Sequence, residues 1–70
     1  MPRTITVETE LNANYPDEAA FREFGGLLVL QTACSHELML QGCEPESIKF
    51  AEPFRDGDLW KIHGTGKVKD

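Results

Sequence analysis

Two cysteines and two histidines, Cys34, His36, Cys43 and His63, are the residues of this chain suited to metal or thiol chemistry. Thiolates and imidazoles make zinc sites, but structural sites usually bring ligands in close pairs such as C-x2-C. Here the spacing is C-x-H, with the second cysteine six intervening residues further on. A small Cys/His metal-binding protein is therefore a subsidiary reading. The cysteines read more simply as a small buried apolar residue, Cys34, and a connector residue, Cys43. No metal and no cofactor are expected.

Other chemistry-bearing runs fail on geometry. Ser35-His36-Glu37 has the residue types of a nucleophile relay, but adjacent residues of a helix point about 100° apart and cannot form one. A cysteine nucleophile activated by His63 needs an enclosing pocket, which a domain this small has little volume to supply. Gly64-Thr65-Gly66-Lys67 shares its ending with a phosphate-binding loop. However, Lys61 stands where the first glycine is required, and Val68 stands where Ser or Thr should bind magnesium. Glu44 and Glu46 flank Pro45 on a connector and should be solvated, without the enclosed pocket that acid–base work needs. No catalytic residue is expected, and the chain reads as a non-enzyme.

The elements that would position these residues follow from periodicity. In residues 4–11, Ile5, Val7, Thr9 and Leu11 alternate with Thr4, Thr6, Glu8 and Glu10, the pattern of a half-buried strand. A helix is expected from about Pro16, with Asn14 as N-cap and Asp17 and Glu18 complementing the helix dipole. Ala20, Phe21, Phe24, Leu27 and Leu28 supply its buried face, and Gly25-Gly26 marks a kink or split. Residues 27–32 fit either helix or a short buried strand. Helix is favoured because the pattern runs on through Cys34 and Leu38, and Gly42 suits a C-terminal cap. On that reading Val29, Ala33, His36 and Leu40 form a second, mildly apolar flank, and such a helix is either sandwiched or meets another chain.

Pro45 ends the helix. Residues 47–54 and 59–68 then read as two strands joined through Arg55-Asp56-Gly57-Asp58. A three-residue loop with Gly57 in the left-handed region and a bulge pairs Phe50 with Ile62 and Glu52 with Trp60. This register gathers Ile48, Phe50, Trp60 and Ile62 on one face, with Glu52 a misfit. The glycine-rich stretch 64–70 is expected to fray as a flexible tail. The fold class is thus α+β: one small domain, β-α-β-β, its helix segment packed on a three-stranded, mostly antiparallel sheet. The expected core is Ile5, Val7, Phe21, Phe24, Leu27, Leu28, Leu38, Ile48, Phe50, Trp60 and Ile62.

Seventy residues make one domain with a small core, which a partner chain would help to stabilise. No apolar run approaches the roughly 20 residues of a membrane span, and the first ten residues lack the apolar centre of a secretory signal. With only two cysteines, a cytoplasmic location with reduced thiols is expected. Net charge is −5, and it is unevenly placed. Eight acids, Glu8, Glu10, Asp17, Glu18, Glu23, Glu37, Glu44 and Glu46, face the single base Arg22 within residues 8–46. Such a block disfavours direct nucleic-acid or anionic-membrane contact and favours a basic protein surface.

Size, acidity and element order are similar in kind to those of small phage-encoded inhibitors of host enzymes, among them anti-CRISPR and polymerase-inhibitor proteins. That resemblance implies an inhibitor or regulator occupying a basic, nucleic-acid-binding surface of a partner protein. The expected contact residues are Glu8, Glu10, Asp17, Glu18, Glu23, Glu44 and Glu46, with Val29 and Leu40 as apolar contacts. The alternative is a homodimeric structural or accessory domain whose helix flank is the subunit interface.

Overall fold

The chain forms two layers, helices over one face of an antiparallel sheet, in a computed structural model that describes residues 3–12 and 14–68. In order, the elements are β1 (Arg3–Asn12), α1 (Glu18–Glu23), α2 (Gly26–Leu40), a turn of 3-10 helix (Pro45–Ser47), β2 (Lys49–Phe50), β3 (Phe54–Asp56) and β4 (Leu59–Val68). The long β4 is central. β1 pairs along one side of it, and β2 and β3 pair along the other. Alternation in β1 behaves as its sequence predicts, with Ile5, Val7, Thr9 and Leu11 half-buried and the intervening residues exposed.

The helix segment is split at the glycines. Asp17, not Asn14, caps α1, its side chain accepting from the Ala20 amide at 2.8 Å. Gly25, at φ 83°, ends α1 in the left-handed region that glycine adopts without strain. Gly26 opens α2 against the Phe21 ring, where a methyl group would overlap the aromatic carbons. Residues 27–32 are helical. At the far end Gly42, at φ 94°, closes a Schellman motif: the Gly42 amide donates to Met39 O at 3.0 Å and the Cys43 amide to Leu38 O at 3.1 Å.

Three expectations are corrected on the C-terminal side. First, residues 64–68 are not a tail but the second half of the central strand, and residues 69 and 70 lie outside the described residues. Trp60, Ile62, Gly64 and Gly66 are buried beneath the helix, whereas Lys61, His63, Thr65 and Lys67 face the other way. Second, the hairpin loop is two residues long. Asp56 pairs with Leu59 across Gly57-Asp58, and Arg55, not Glu52, lies opposite Trp60. Third, Phe50 pairs with Gly64 instead of Ile62, two residues further along β4. The extra residue is absorbed at Ala51-Glu52-Pro53, where proline has no N–H to give the ladder and the strand breaks into β2 and β3. Glu52 thereby escapes the apolar face and pairs with Arg22 at 3.1 Å.

The core consists of Phe21, Leu30, Cys34, Leu38, Cys43, Trp60 and Ile62, with Ile5, Val7, Leu11, Tyr15, Leu27, Ile48 and Val68 packed around it. Phe21 stacks on Trp60 with ring centroids 4.3 Å apart. Phe24 and Leu28, expected inside, are 72% and 67% exposed, and Phe50 sits at the margin. The break at Gly25 turns α2 relative to α1, so Leu30 and Cys34 point inward where Leu28 does not.

Helix and sheet approach closely because β4 offers no side chain at two places. A methyl at Gly64 would overlap the Cys34 sulfur, and one at Gly66 would lie 2.9 Å from the Cys43 sulfur. Gly64→Ala should therefore destabilise the domain by about 2 kcal/mol, the usual size of an overpacking penalty. The double variant with Cys34→Ala should recover part of that loss, because the two changes share one space. Urea unfolding of the single and double variants measures both effects. A neutral Gly64→Ala would contradict this account of the packing.

Candidate functional site

The cysteines and histidines do not converge. Cys34 is fully buried between the layers and Cys43 is buried at the end of α2. His36 is exposed on the outward side of α2, and His63 is exposed on the opposite, open face of the sheet. Among the described residues, no three His, Cys, Asp or Glu side chains gather in a way that suits a metal ion. Gly64-Thr65-Gly66-Lys67 is extended strand within the sheet, its Lys67 amide donating to Ser47 Oγ at 2.9 Å, and it forms no phosphate-cradling loop.

The open face of the sheet is polar and largely self-neutralised. Glu8, on β1, meets His63 Nε2 at 2.6 Å and Lys61 Nζ at 3.6 Å. Lys61 also donates to Asp56 at 3.1 Å, and this hydrogen bond, with the surrounding carboxylates, holds its ammonium above the ordinary lysine range. Phe54 lies against the His63 ring, with centroids 5.4 Å apart.

The acidic positions expected to meet a partner are distributed over the molecule. Glu8 and Glu10 lie on the open sheet face beside His63 and Lys61. Asp17, Glu18 and Glu23 belong to α1, where Asp17 caps the helix and Glu18 pairs with Arg22 at 3.6 Å. This end adjoins the β3–β4 hairpin, since Arg55 Nη1 donates to Tyr15 O at 3.5 Å. Glu44 and Glu46 sit at the other end, where the Glu44 amide donates to Lys67 O at 2.9 Å. The ten residues of β4 separate these ends by roughly 30 Å. No single acidic contact patch results.

The outward side of α2 is different. Val29 is 52% exposed and Leu40 70%, and Leu28, Thr32, Ala33, His36 and Met39 share the exposed side with them. Two shallow, open depressions lie along it. One is lined by Leu28, Val29, Thr32, Ala33 and His36, the other by Thr32, Ser35, His36, Met39 and Phe50 among others. Glu37 is the one charged residue in the sequence of α2; it points off this stripe and accepts from Gln41 Nε2 at 3.5 Å. Thr32 and His36 interrupt the strip, which leaves exposed apolar side chains grouped on one helix face, a feature that marks interaction sites. Sequence reasoning found Val29, Ala33, His36 and Leu40 but assigned Leu28 to the core. The stripe through Cys34 and Leu38 does face inward as the sequence predicts; Leu28 was misplaced because the buried face of α1 was carried across the break at Gly25-Gly26.

These features define the class of molecule: a two-layer α+β domain with a polar open sheet and an uncharged apolar helix face. No helix is long and apolar enough to cross a membrane among the described residues. No protein-family model matches the chain, and no curated protein sequence or solved structure matches it significantly.

Burial raises the Cys34 thiol above its ordinary pKa, and a hydrogen bond with Thr9 offsets this only in part. The folded chain therefore holds this proton to higher pH than the unfolded chain does. Stability from this group is intact below the unfolded thiol's pKa of about 8.5 and falls as pH rises beyond it. Urea midpoints should drop between neutral pH and mildly alkaline pH, and Cys34→Ala should lessen the drop. Iodoacetamide should leave Cys34 unmodified in the native state at neutral pH. Rapid native alkylation, followed by mass spectrometry, would show the thiol to be accessible.

Proposed function

We propose that this chain is a non-catalytic protein-binding domain that docks through the outward face of α2. The observation carrying this reading is the run of exposed apolar side chains, Leu28, Val29, Met39 and Leu40, on a helix face with no charge. Covering such a face removes apolar surface from water at about 25 cal/mol per Å², without desolvating an ion. The depressions along α2 are open and shallow, both cysteines are buried, and the Glu8, His63 and Lys61 cluster lies on the opposite, open face of the sheet. Binding by occupation is the activity these surfaces support, and a small inhibitor or regulator acts in that way.

The acidic residues take a secondary role. Spread over both ends and the open sheet, they contribute a diffuse negative field that hastens the approach of a basic partner but builds no contact of its own. An acidic inhibitor of a basic surface remains compatible with this division: apolar contact supplies affinity, and charge supplies the on-rate.

Leu28→Asp combined with Leu40→Asp should abolish protein association while leaving the fold intact. Both side chains are mostly in water already, so stability should change by no more than about 0.5 kcal/mol. Glu8→Gln with Glu10→Gln should leave association within a few-fold of the parent. Affinity capture from host lysate and sedimentation of the pure protein, run for all three chains, provide the measurement. If the doubly charged variant kept every association of the parent, the docking face would lie elsewhere.

A further inference from the structure

The outer edge of β1 is an unpaired ladder, and we infer that it takes up an extended segment of another protein as an added strand, one that alternates apolar with basic residues. This edge is separate from the α2 face and goes beyond the docking assigned there. The Ala51 amide donates to His63 O at 2.9 Å and the Glu44 amide to Lys67 O at 2.9 Å, so odd-numbered residues of β4 direct their backbone groups toward β2. Even-numbered residues of β4 therefore bond β1, in the pairs Gly64–Val7 and Ile62–Thr9 among others. It follows that Thr4, Thr6, Glu8 and Glu10 turn their N–H and C=O groups away from β4. No strand covers them among the described residues.

The two edges of the sheet are built differently. On the far side β2 has two residues and β3 three, and Pro53 lies in the break between them. Short strands and proline are common means of blunting an edge. β1 has neither. It runs ten residues in unbroken register, from Arg3 opposite Val68 to Asn12 opposite Leu59, with no bulge and no proline. Its inward side is unfinished as well: Ile5, Val7 and Leu11 pack against the core yet remain only half-buried. A neighbouring strand completes the ladder and covers these side chains together, whereas water satisfies the backbone alone.

Alternation and charge specify the occupant. Side chains of an added strand point to the two faces in turn, as those of β1 do. Those beside Ile5, Val7 and Leu11 are required to be apolar, and those beside Glu8 and Glu10 share the open face with two carboxylates. Glu10 has no cation within ion-pair distance among the described residues, and Glu8 is shared between Lys61 and His63. A basic residue suits that place. A second copy does not, because its own β1 brings two more glutamates to the same surface. Exposed charge pairs of this kind are worth only a few-fold in affinity, so backbone hydrogen bonds and apolar side chains carry most of the binding.

The probe is a short synthetic peptide alternating valine with lysine, titrated into isotopically labelled protein while amide exchange is followed by NMR. In the free protein, exchange should be fast at Thr4, Thr6, Glu8 and Glu10 and slow at Val7 and Thr9. Saturating peptide should slow the four outward amides at least about tenfold, and glutamate in place of lysine should weaken the peptide a few-fold. Thr6→Pro removes an outward N–H and leaves the ladder to β4 intact, so it should weaken the peptide at least about tenfold while circular dichroism stays native. If the proline variant does not fold, the amide protection of the parent decides the matter alone. Leu28→Asp with Leu40→Asp should leave peptide binding unchanged, which separates this edge from the α2 face. Outward amides that still exchange fast at millimolar peptide would overturn the inference. So would their protection in the pure protein as its concentration rises, since a second copy would then be the occupant.

Discussion

The architecture depends on how closely α2 can lie on β4. Two layers of a 70-residue chain enclose little volume, so dispersion and burial must come from near contact instead of bulky infill. Gly64 and Gly66 allow that contact by presenting bare backbone to Cys34 and Cys43. Across the ladder from these gaps stand Val7 and Ile5, half-buried and packed against the core. At the other end of the same strand the arrangement reverses. Trp60 and Ile62 fill the space under Phe21 and Leu30, and the layers are held apart by rings. One strand thus grades from large to absent side chains along its length.

That grading has a cost at the wide end. The Trp60 indole nitrogen is buried with no hydrogen-bond acceptor among the described residues. An unmet donor of this kind offsets about 1–3 kcal/mol of what the ring gains by burial. The ring is retained on area and stacking: it lies parallel to Phe21, and the Arg55 guanidinium stands 6.0 Å from its centre. Arg55 reaches this place because the tight turn at Gly57-Asp58 sets it opposite Trp60.

One layer of helix on one layer of sheet leaves two outer surfaces, and their chemistries differ. On the sheet side, Lys61 pairs with Glu8 and Asp56 and His63 meets Glu8, so the polar groups of this face largely satisfy one another. On the helix side, α2 has apolar residues left over after the core is filled. A third layer would bury them in a larger protein, but the described chain has none to offer. The contrast between a face complete in itself and a face that is not directs the functional reading to α2.

Local features were legible in the sequence wherever neighbouring residues decide the outcome. The alternation of β1, the left-handed cap at Gly42, the break at Gly25-Gly26 and the left-handed Gly57 each depend on backbone sterics or period, which a few residues specify. The apolar flank of α2 was legible in part for the same reason. The inward stripe of α2 through Cys34 and Leu38 was legible as well, whereas tertiary structure alone decided the outward place of Leu28, because the break at Gly25 keeps the buried face of α1 from continuing into α2. Tertiary structure also decided that residues 64–68 form the central strand. Glycines weaken a strand in isolation and read as a loose end, and their value appears only when the sulfurs of Cys34 and Cys43, far away in sequence, arrive to occupy the space they leave.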